Sequence, residues 1–156
     1  MQTSFEKSTV TVRGQLIAVS SLNFDEFEDQ ILQVLEQQPA SYETFYTTQE
    51  MLDRVQHGLL NFWLLVMEGE LKGGLGFTIE QYTETTRTIK VDFVSCKNFH
   101  TMTLLLPYLK KLGLELGCSY LEGVAHPTIA EYLVKKAGFS ASGVYVSTPI
   151  LNERRN

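Results

Sequence analysis

The sequence has few cysteines, a deficit of basic residues and no long apolar run, and each shortage excludes a class of protein. Two cysteines, Cys96 and Cys118, are too few for a disulfide framework. The 13 lysines and arginines are outnumbered by 18 acidic residues, which argues against a nucleic-acid-binding surface. A membrane-spanning helix needs about 20 apolar residues, whereas the longest apolar run covers only residues 62–67.

The composition is that of one globular domain. Of the 156 residues, 44% are hydrophobic and 20% are charged, which is too apolar for a disordered chain and enough for a hydrophobic core. We expect a single domain over residues 1–156, with a core at about residues 9–151 and a polar tail at residues 152–156. The low cysteine content and the lack of a signal-peptide pattern at residues 1–7 predict a reducing, cytoplasmic location.

Hydrophobic periodicity predicts one strand and two helices in the first third of the chain. The strand is expected over residues 9–20. The first helix has a capping signal at Asn23 and stops before Pro39. The second has a capping box that begins at Thr47, and it ends at Gly58.

Three antiparallel strands follow, at residues 61–68, 71–82 and 87–95. The first is continuously apolar, which is typical of a strand buried on both faces. The second contains a glycine cluster, Gly73, Gly74 and Gly76. A phosphate-binding loop leads from a strand into a helix, whereas this strand continues, so we interpret the cluster as a bulge or a close backbone approach.

A strand–helix–strand unit closes the predicted sheet. In the third strand of the meander, Ile89, Val91 and Phe93 alternate with Asp92, which places Asp92 on the opposite face. A long helix is expected from Thr101 or Thr103 to residue 116, with a proline at position 107 that would kink it. A parallel strand at residues 120–125 completes the unit.

The chain then ends in a helix and a last strand. The helix has a capping box of Thr128 and Glu131 and a C-terminal stop at Gly138. The last strand is expected at residues 143–151, where an open edge suits pairing with a second copy in a homodimer. The loop at residues 95–103 follows the carboxyl end of a strand, where open α/β sheets bind their ligands.

This order of elements resembles the GNAT superfamily of acyl-coenzyme A-dependent N-acyltransferases. Residues 62–74 are similar to the family's strand, acidic-glycine turn and glycine-bearing strand. Residues 127–139 are similar to its late signature, and the matching positions are Ala130, Leu133, Lys136, Gly138 and Phe139. The resemblance implies an α/β (α+β) fold with a mixed, mainly antiparallel sheet, a splayed parallel strand pair and four helices.

The resemblance also implies a site for acetyl-CoA, whose pyrophosphate the family binds at the start of the long helix. The corresponding residues here are Val94, Ser95, Cys96, Lys97, Phe99, His100, Thr101, Met102 and Thr103. The family has glycines in this loop that let backbone N–H groups approach the pyrophosphate, and this loop has none. The helix dipole would remain, and Lys97 or His100 could help to hold phosphate.

Two side chains are candidates for removing the proton of an acceptor amine. Asp92 could act as the base or orient an ammonium group, or it could pair with Lys90 or another neighbour. His126 could act as a base near neutral pH, or it could bind a backbone group at a helix start. The family's late tyrosine, often a general acid, corresponds to Val134, and its asparagine corresponds to Pro127.

The sequence therefore supports two functions. The first is transfer of an acetyl or acyl group from acyl-CoA to an amine. The second is a catalytically inactive GNAT-fold module that binds a protein partner, of the kind that viruses and phages encode. The aromatic loop with Tyr42, Phe45 and Tyr46 would line the acceptor side in the first case and a partner surface in the second. No cluster has metal-ligand spacing, and neither function involves nucleic acid or a membrane.

Overall fold

The computed structural model describes residues 2–6, 13–37, 46–96, 99–125, 127–141, 148 and 150. The elements within these residues are β1 (Gln2–Glu6), β2 (Arg13–Val19), α1 (Phe24–Glu36), α2 (Thr48–Gln56), β3 (Asn61–Met67), β4 (Glu70–Gln81), β5 (Arg87–Cys96), α3 (Phe99–Glu115), β6 (Tyr120–Gly123) and α4 (Pro127–Lys136). Two compact units divide the chain. The sheet and α1 to α3 belong to Met1–Gly123, and α4 belongs to Val124–Asn156.

The strands form one sheet in chain order, β1-β2-β3-β4-β5-β6. Each neighbouring pair is antiparallel except β5 and β6, which are parallel and joined by the crossover helix α3. The predicted mixed, mainly antiparallel fold with four helices is therefore confirmed. The strand β1 was not predicted. Its residues show little apolar alternation, and it forms by pairing along β2, from Gln2 opposite Ile17 to Glu6 opposite Arg13.

Helices cover both faces of the sheet. The helices α1 and α2 pack on one face, which we call the α2 face, through a cluster that includes Ile31, Val55 and Phe62. The helix α3 packs on the other face, the α3 face, through a cluster that includes Leu75 and Leu105. Because β3 is buried from both sides, its continuous apolar sequence follows directly from its place in the sheet.

The glycine cluster in β4 lets neighbouring elements approach the strand closely. A Cβ atom on Gly74 would lie 2.7 Å from the carbonyl oxygen of Trp63 and 2.9 Å from the ring of Phe62. The β3–β4 pairing also shifts register at Leu65/Val66. Leu65 pairs with Gly73 and Val66 pairs with Leu71, so Lys72 is the extra residue of a bulge in β4. Both parts of the prediction, a bulge and a close approach, are confirmed.

A second bulge lies in β5, at Asp92. Gly76 pairs with Phe93 and Phe77 pairs with Val91, so Asp92 is the extra residue of β5. The bulge reverses the alternation of the strand. Val91 packs against the cluster on the α3 face, whereas Phe93 belongs to the cluster on the α2 face. The prediction that Phe93 shares a face with Ile89 and Val91 is therefore wrong.

The helix boundaries agree with most of the sequence signals. Thr47 caps α2 by accepting a hydrogen bond from the Glu50 N–H at 3.1 Å. Asn23 stands at the start of α1, but its side chain does not cap the helix. Its carboxamide instead accepts from the Ser20 N–H at 2.8 Å and donates to the Ala18 carbonyl at 3.1 Å.

Two helix starts differ from the predictions. The helix α3 begins at Phe99, before the expected Thr101 or Thr103, and Pro107 lies in its interior. The helix α4 begins at Pro127, one residue before Thr128, so Thr128 lies inside the first turn and the predicted capping box of Thr128 and Glu131 does not stand at the helix start. The helix α4 ends as predicted, because Gly138 has a φ of 75°.

Several predictions fall outside the described residues. They concern the helix stop at Pro39, the tail at residues 152–156 and the last strand at residues 143–151, of which only residues 148 and 150 are described. Among the described helices, none combines the length and the apolar character that crossing a bilayer requires.

Candidate functional site

The candidate site is built around Asp92, on the α2 face of the sheet. The bulge places this carboxylate at the point where β5 leaves its parallel partner. In the described residues, β5 pairs with β6 only from Thr88 to Val91, and from there to Cys96 the strand is paired with β4 on its other side. A one-residue bulge turns a side chain away from its place in the ladder, and such bulges are common beside active sites.

Arg54 on α2 forms an ion pair with Asp92. Its Nη1 atom lies 4.0 Å from Asp92 Oδ2, and both side chains are mostly buried, at 22% and 15% exposure. Nη1 itself is buried without a hydrogen-bond partner. On its other side, the guanidinium lies over the Tyr46 ring, with 4.4 Å from Cζ to the ring centroid. Arg54 thus lies between an aromatic face and a carboxylate.

Burial raises the pKa of the Asp92 carboxyl above its ordinary value. The positive charges of Lys90 and Arg54 oppose this shift, whereas the negative charge of Glu80 adds to it. Desolvation outweighs the two cations. A carboxylate whose pKa is raised in this way holds a proton more readily than a free aspartate, which suits a general base.

A strip of polar side chains continues from Asp92 across three strands. Thr78 of β4 is paired with Lys90 of β5, which is paired in turn with Glu122 of β6. Paired residues project from the same face, so these three side chains share the α2 face. The Thr78 hydroxyl donates to Glu80 Oε1 at 3.2 Å. We call Thr78, Glu80, Lys90, Asp92 and Glu122 the polar strip.

Tyr82 lies at the edge of the polar strip. Its hydroxyl donates a hydrogen bond to Glu122 Oε1. This bond raises the pKa of Tyr82 to about 12, with smaller contributions from desolvation and from the charges of Glu122, Glu80 and Asp92. The carboxylates of Glu122, Glu80 and Asp92 thus all disfavour a negative charge at Tyr82, and their negative charge favours a bound cation.

The predicted coenzyme residues lie beyond Asp92, at the junction of β5 and α3. Val94 packs against the cluster on the α3 face, and Ser95 is partly buried. Because α3 begins at Phe99, the N–H groups of Phe99, His100 and Thr101 lack partners within the helix. Such a helix start favours a bound anion.

The remaining predicted residues of this junction are described only in part. Lys97 lies outside the described residues, as do the side chains of Cys96, Phe99, His100, Thr101 and Met102. Thr103 is partly buried in the second turn of α3. The assignment of this set to a coenzyme therefore stays a prediction.

The other candidates of the sequence are placed as follows. His126, Tyr42 and Phe45 lie outside the described residues. Val134 is 43% exposed on α4, in the separate second unit. Tyr46 is exposed and contacts Arg54. In the described part of the chain, no group of His, Cys, Asp or Glu side chains is arranged to hold a metal ion.

Sequence reasoning did not find Arg54, Thr78, Glu80, Tyr82 or Glu122. Each occurs in a segment whose local pattern already accounts for a charged or polar residue. The polar positions of β4, Thr78 and Glu80, alternate with Phe77 and Ile79 and give the one local signal that was available. Their relation to Asp92 depends on strand register, which the sequence does not state.

Solved acetyltransferases share this architecture. An aminoglycoside acetyltransferase from an uncultured soil metagenomic sample matches with a TM-score of 0.65 at 15% identity, over 88% of this chain and 99% of that one. A predicted acetyltransferase from Clostridium acetobutylicum, solved with acetyl-CoA, matches with a TM-score of 0.65 at 12% identity, over 88% and 96%. Glucosamine-6-phosphate N-acetyltransferase from Arabidopsis thaliana matches with a TM-score of 0.62 at 13% identity, over 86% and 98%.

At these identities the likeness establishes the fold. No protein-family model and no curated protein sequence matches the chain. The chain has the GNAT acetyltransferase fold, over almost the whole length of the neighbours, and the resemblance inferred from its sequence is confirmed at that level.

Proposed function

We propose that the protein is an N-acyltransferase that moves an acetyl or other acyl group from acyl-CoA to an amine. The observation that carries this proposal is the placement of Asp92. It is a mostly buried carboxylate of raised pKa, at a strand bulge, where the parallel strands part in a GNAT fold. The neighbours include N-acetyltransferases and one structure solved with acetyl-CoA, which supports the same reaction class.

The reaction needs one proton acceptor. The neutral amine attacks the thioester carbonyl carbon, the new C–N bond forms, and the C–S bond breaks. The attacking nitrogen loses a further proton, which the departing thiolate takes up, so coenzyme A leaves as its thiol. An ammonium group must lose a proton before it can attack. Asp92 is the proposed base, directly or through a water molecule. His126 remains a second candidate for this proton.

The polar strip would bind the acceptor before it reacts. Glu80, Asp92 and Glu122 carry three negative charges, and Lys90 and Arg54 carry two positive charges. The excess of negative charge favours an ammonium group over a carboxylate. The coenzyme would be bound from the opposite side of the parted strands, with its pyrophosphate at the free N–H groups of Phe99 to Thr101.

Calorimetric titration with acetyl-CoA tests the coenzyme half of the proposal. We expect micromolar binding, about −8 kcal/mol. In the variant Thr101→Glu, a carboxylate in the first turn of α3 should repel the pyrophosphate and remove most of this binding. Thr101→Gln has the same shape without the charge and is the matched control. The proposal is wrong if millimolar acetyl-CoA does not bind, or if the two variants bind equally well.

Release of coenzyme A, followed with a thiol reagent in the presence of a panel of amines, tests the catalytic half. Asp92→Asn should lower kcat by about 10²-fold or more, the range in which general bases contribute, and leave the acetyl-CoA Kd unchanged. If kcat is unchanged, Asp92 is not the base, and His126→Gln becomes the next variant to measure.

A second candidate is a GNAT-fold module that binds a protein without catalysis. Two features of the sequence favour it: residues 95–103 contain no glycine, and Val134 replaces the family's tyrosine. In that case acetyl-CoA should not bind, and the polar strip should serve as part of a partner surface. The calorimetric titration separates the two candidates.

A further inference from the structure

A cavity lies on the α3 face of the sheet, away from the polar strip. It lies between β2, β3 and β4 on one side and the C-terminal half of α3 on the other, is partly open to solvent, and has a volume of about 380 Å³. Ligand pockets in proteins start at roughly 300 Å³, so this space is large enough for a small molecule. Asp92 lies on the opposite face of the sheet, beside Arg54 of α2.

Apolar side chains form the inner wall of the cavity. Trp63 and Phe77 meet there edge to face, with 5.2 Å between the ring centroids. Leu16, Ile79 and Leu112 complete this wall. An aromatic or branched apolar body would remove this surface from water, and an aromatic ring could add a further edge-to-face contact.

Charged side chains lie only among the exposed lining residues. Lys111 and Glu115 line the cavity from α3, are both exposed, and have opposite signs. Their charges cancel, so the site has no net preference for an anion or a cation. A ligand without net charge also avoids the cost of desolvating an ion against the apolar wall.

One polar group of the lining indicates what else the ligand carries. Asn61 donates from Nδ2 to the Phe77 carbonyl at 3.3 Å, which fixes the orientation of its carboxamide. Asn61 is an exposed residue of the cavity lining, so its Oδ1 atom is accessible to a hydrogen-bond donor of a ligand. A ligand with a single hydroxyl or N–H group would satisfy this atom.

We propose that this cavity is a second binding site, separate from acyl transfer, for a neutral apolar molecule with one hydrogen-bond donor. Trp63 is the sole tryptophan of the chain and lines the cavity, so its fluorescence reports on occupancy. The probes are benzyl alcohol, which has the ring and the donor, and toluene, which has the ring alone. Benzylammonium and benzoate test the preference for a neutral ligand.

For the unmodified full-length protein, benzyl alcohol should change the Trp63 fluorescence saturably, with a Kd on the order of 1 mM or tighter. Toluene should bind several-fold more weakly, and the two charged probes should be weaker still. Ala18→Leu adds bulk to the cavity and should abolish binding of both neutral probes. Asn61→Leu should retain toluene and lose the preference for benzyl alcohol.

Circular dichroism verifies that each variant is folded. If Ala18→Leu is not folded, Leu116→Phe, which adds bulk at an exposed lining position, takes its place. The proposal is overturned if no probe gives a saturable signal with the unmodified protein, or if the folded cavity-filling variant still binds. A charged probe that binds as tightly as benzyl alcohol overturns the assignment of a neutral ligand.

Discussion

The guanidinium of Arg54 and the carboxylate of Asp92 face each other at 4.0 Å, although one belongs to a helix and the other to a strand far along the chain. This relationship joins the α2 helix to the bulge in β5. It also leaves Arg54 Nη1 buried without a hydrogen-bond partner, so the pair is held by charge more than by geometry.

Removing the Arg54 charge should raise the pKa of Asp92 further. Arg54 and Lys90 both lower that pKa, and Arg54→Gln removes one of the two cations. The titration of the Asp92 carboxyl carbon by NMR measures the change. Lys72→Gln is the control, because Lys72 pairs with Glu70 instead. A pKa of Asp92 that is unchanged or lower in Arg54→Gln would contradict the expectation.

Asp92→Asn should make the protein more stable at neutral pH. The pKa of Asp92 is raised in the folded state. Between the unfolded and the folded pKa, the folded chain therefore holds a proton that the unfolded chain has already lost. The wild-type protein therefore loses stability as pH rises from the unfolded pKa through the folded pKa, and it does not regain it above. Asparagine removes this loss.

The advantage of Asp92→Asn should consequently diminish as pH falls through the unfolded pKa of about 3.9, and it should be mostly lost at pH 3, where most of the aspartate is protonated in both states. Urea unfolding of the two proteins at pH 7 and at pH 3 measures the two free-energy differences. An advantage that stays the same at both pH values would show that it does not arise from ionisation of Asp92.

Glu122→Gln should lower the pKa of Tyr82 from about 12 toward its ordinary value. The hydrogen bond to Glu122 is the largest cause of the shift, and a neutral acceptor stabilises the protonated tyrosine less. Glu80→Gln should have a smaller effect in the same direction. Absorbance of tyrosinate through an alkaline titration, with the difference between wild type and Tyr82→Phe assigned to Tyr82, gives the value.

Gly74→Ala should destabilise the fold by about 1–3 kcal/mol. The new methyl group would meet the backbone oxygen of Trp63 at 2.7 Å, which cannot move without disturbing β3. Gly76→Ala is the matched variant. Its nearest neighbour is the flexible end of Leu60 at 3.2 Å, so the loss should be smaller. Chemical denaturation of both proteins decides the order, and an equal loss would contradict this account.

Thr47→Ala should cost about 1 kcal/mol of stability, because the Glu50 N–H at the start of α2 loses its acceptor. Thr47→Ser keeps the hydroxyl and should recover most of the loss. Thermal unfolding measures both. A serine variant as unstable as the alanine variant would mean that the cap is not what stabilises this end of α2.

Much of the fold follows from local patterns. The apolar run in β3 is explained by burial of the strand on two faces. The Glu68-Gly69 pair, with φ values of 52° and 75°, suits the tight turn that follows the strand. The strand β1 could not be predicted in this way, because it is held by pairing along β2 and not by a pattern of its own.

Of the residues in the candidate site, only Asp92 was predictable from the sequence. Alternation along β5 placed Asp92 opposite Ile89 and Val91, and the structure agrees. The same alternation misplaced Phe93, since a bulge leaves no mark in the sequence when either register satisfies the pattern. Arg54 could not be found, because the contact between α2 and β5 is tertiary and nothing local distinguishes this arginine from a solvated one.

The bulge at Asp92 makes the fold depend on the number of residues in β5 as well as on their character. One additional residue divides the strand into two segments of opposite phase, the first with Val91 toward α3 and the second with Phe93 toward α2. Position 92 can therefore exchange its side chain and keep both cores intact. It cannot be deleted without turning one segment inside out, so length is the more strictly constrained property of this strand.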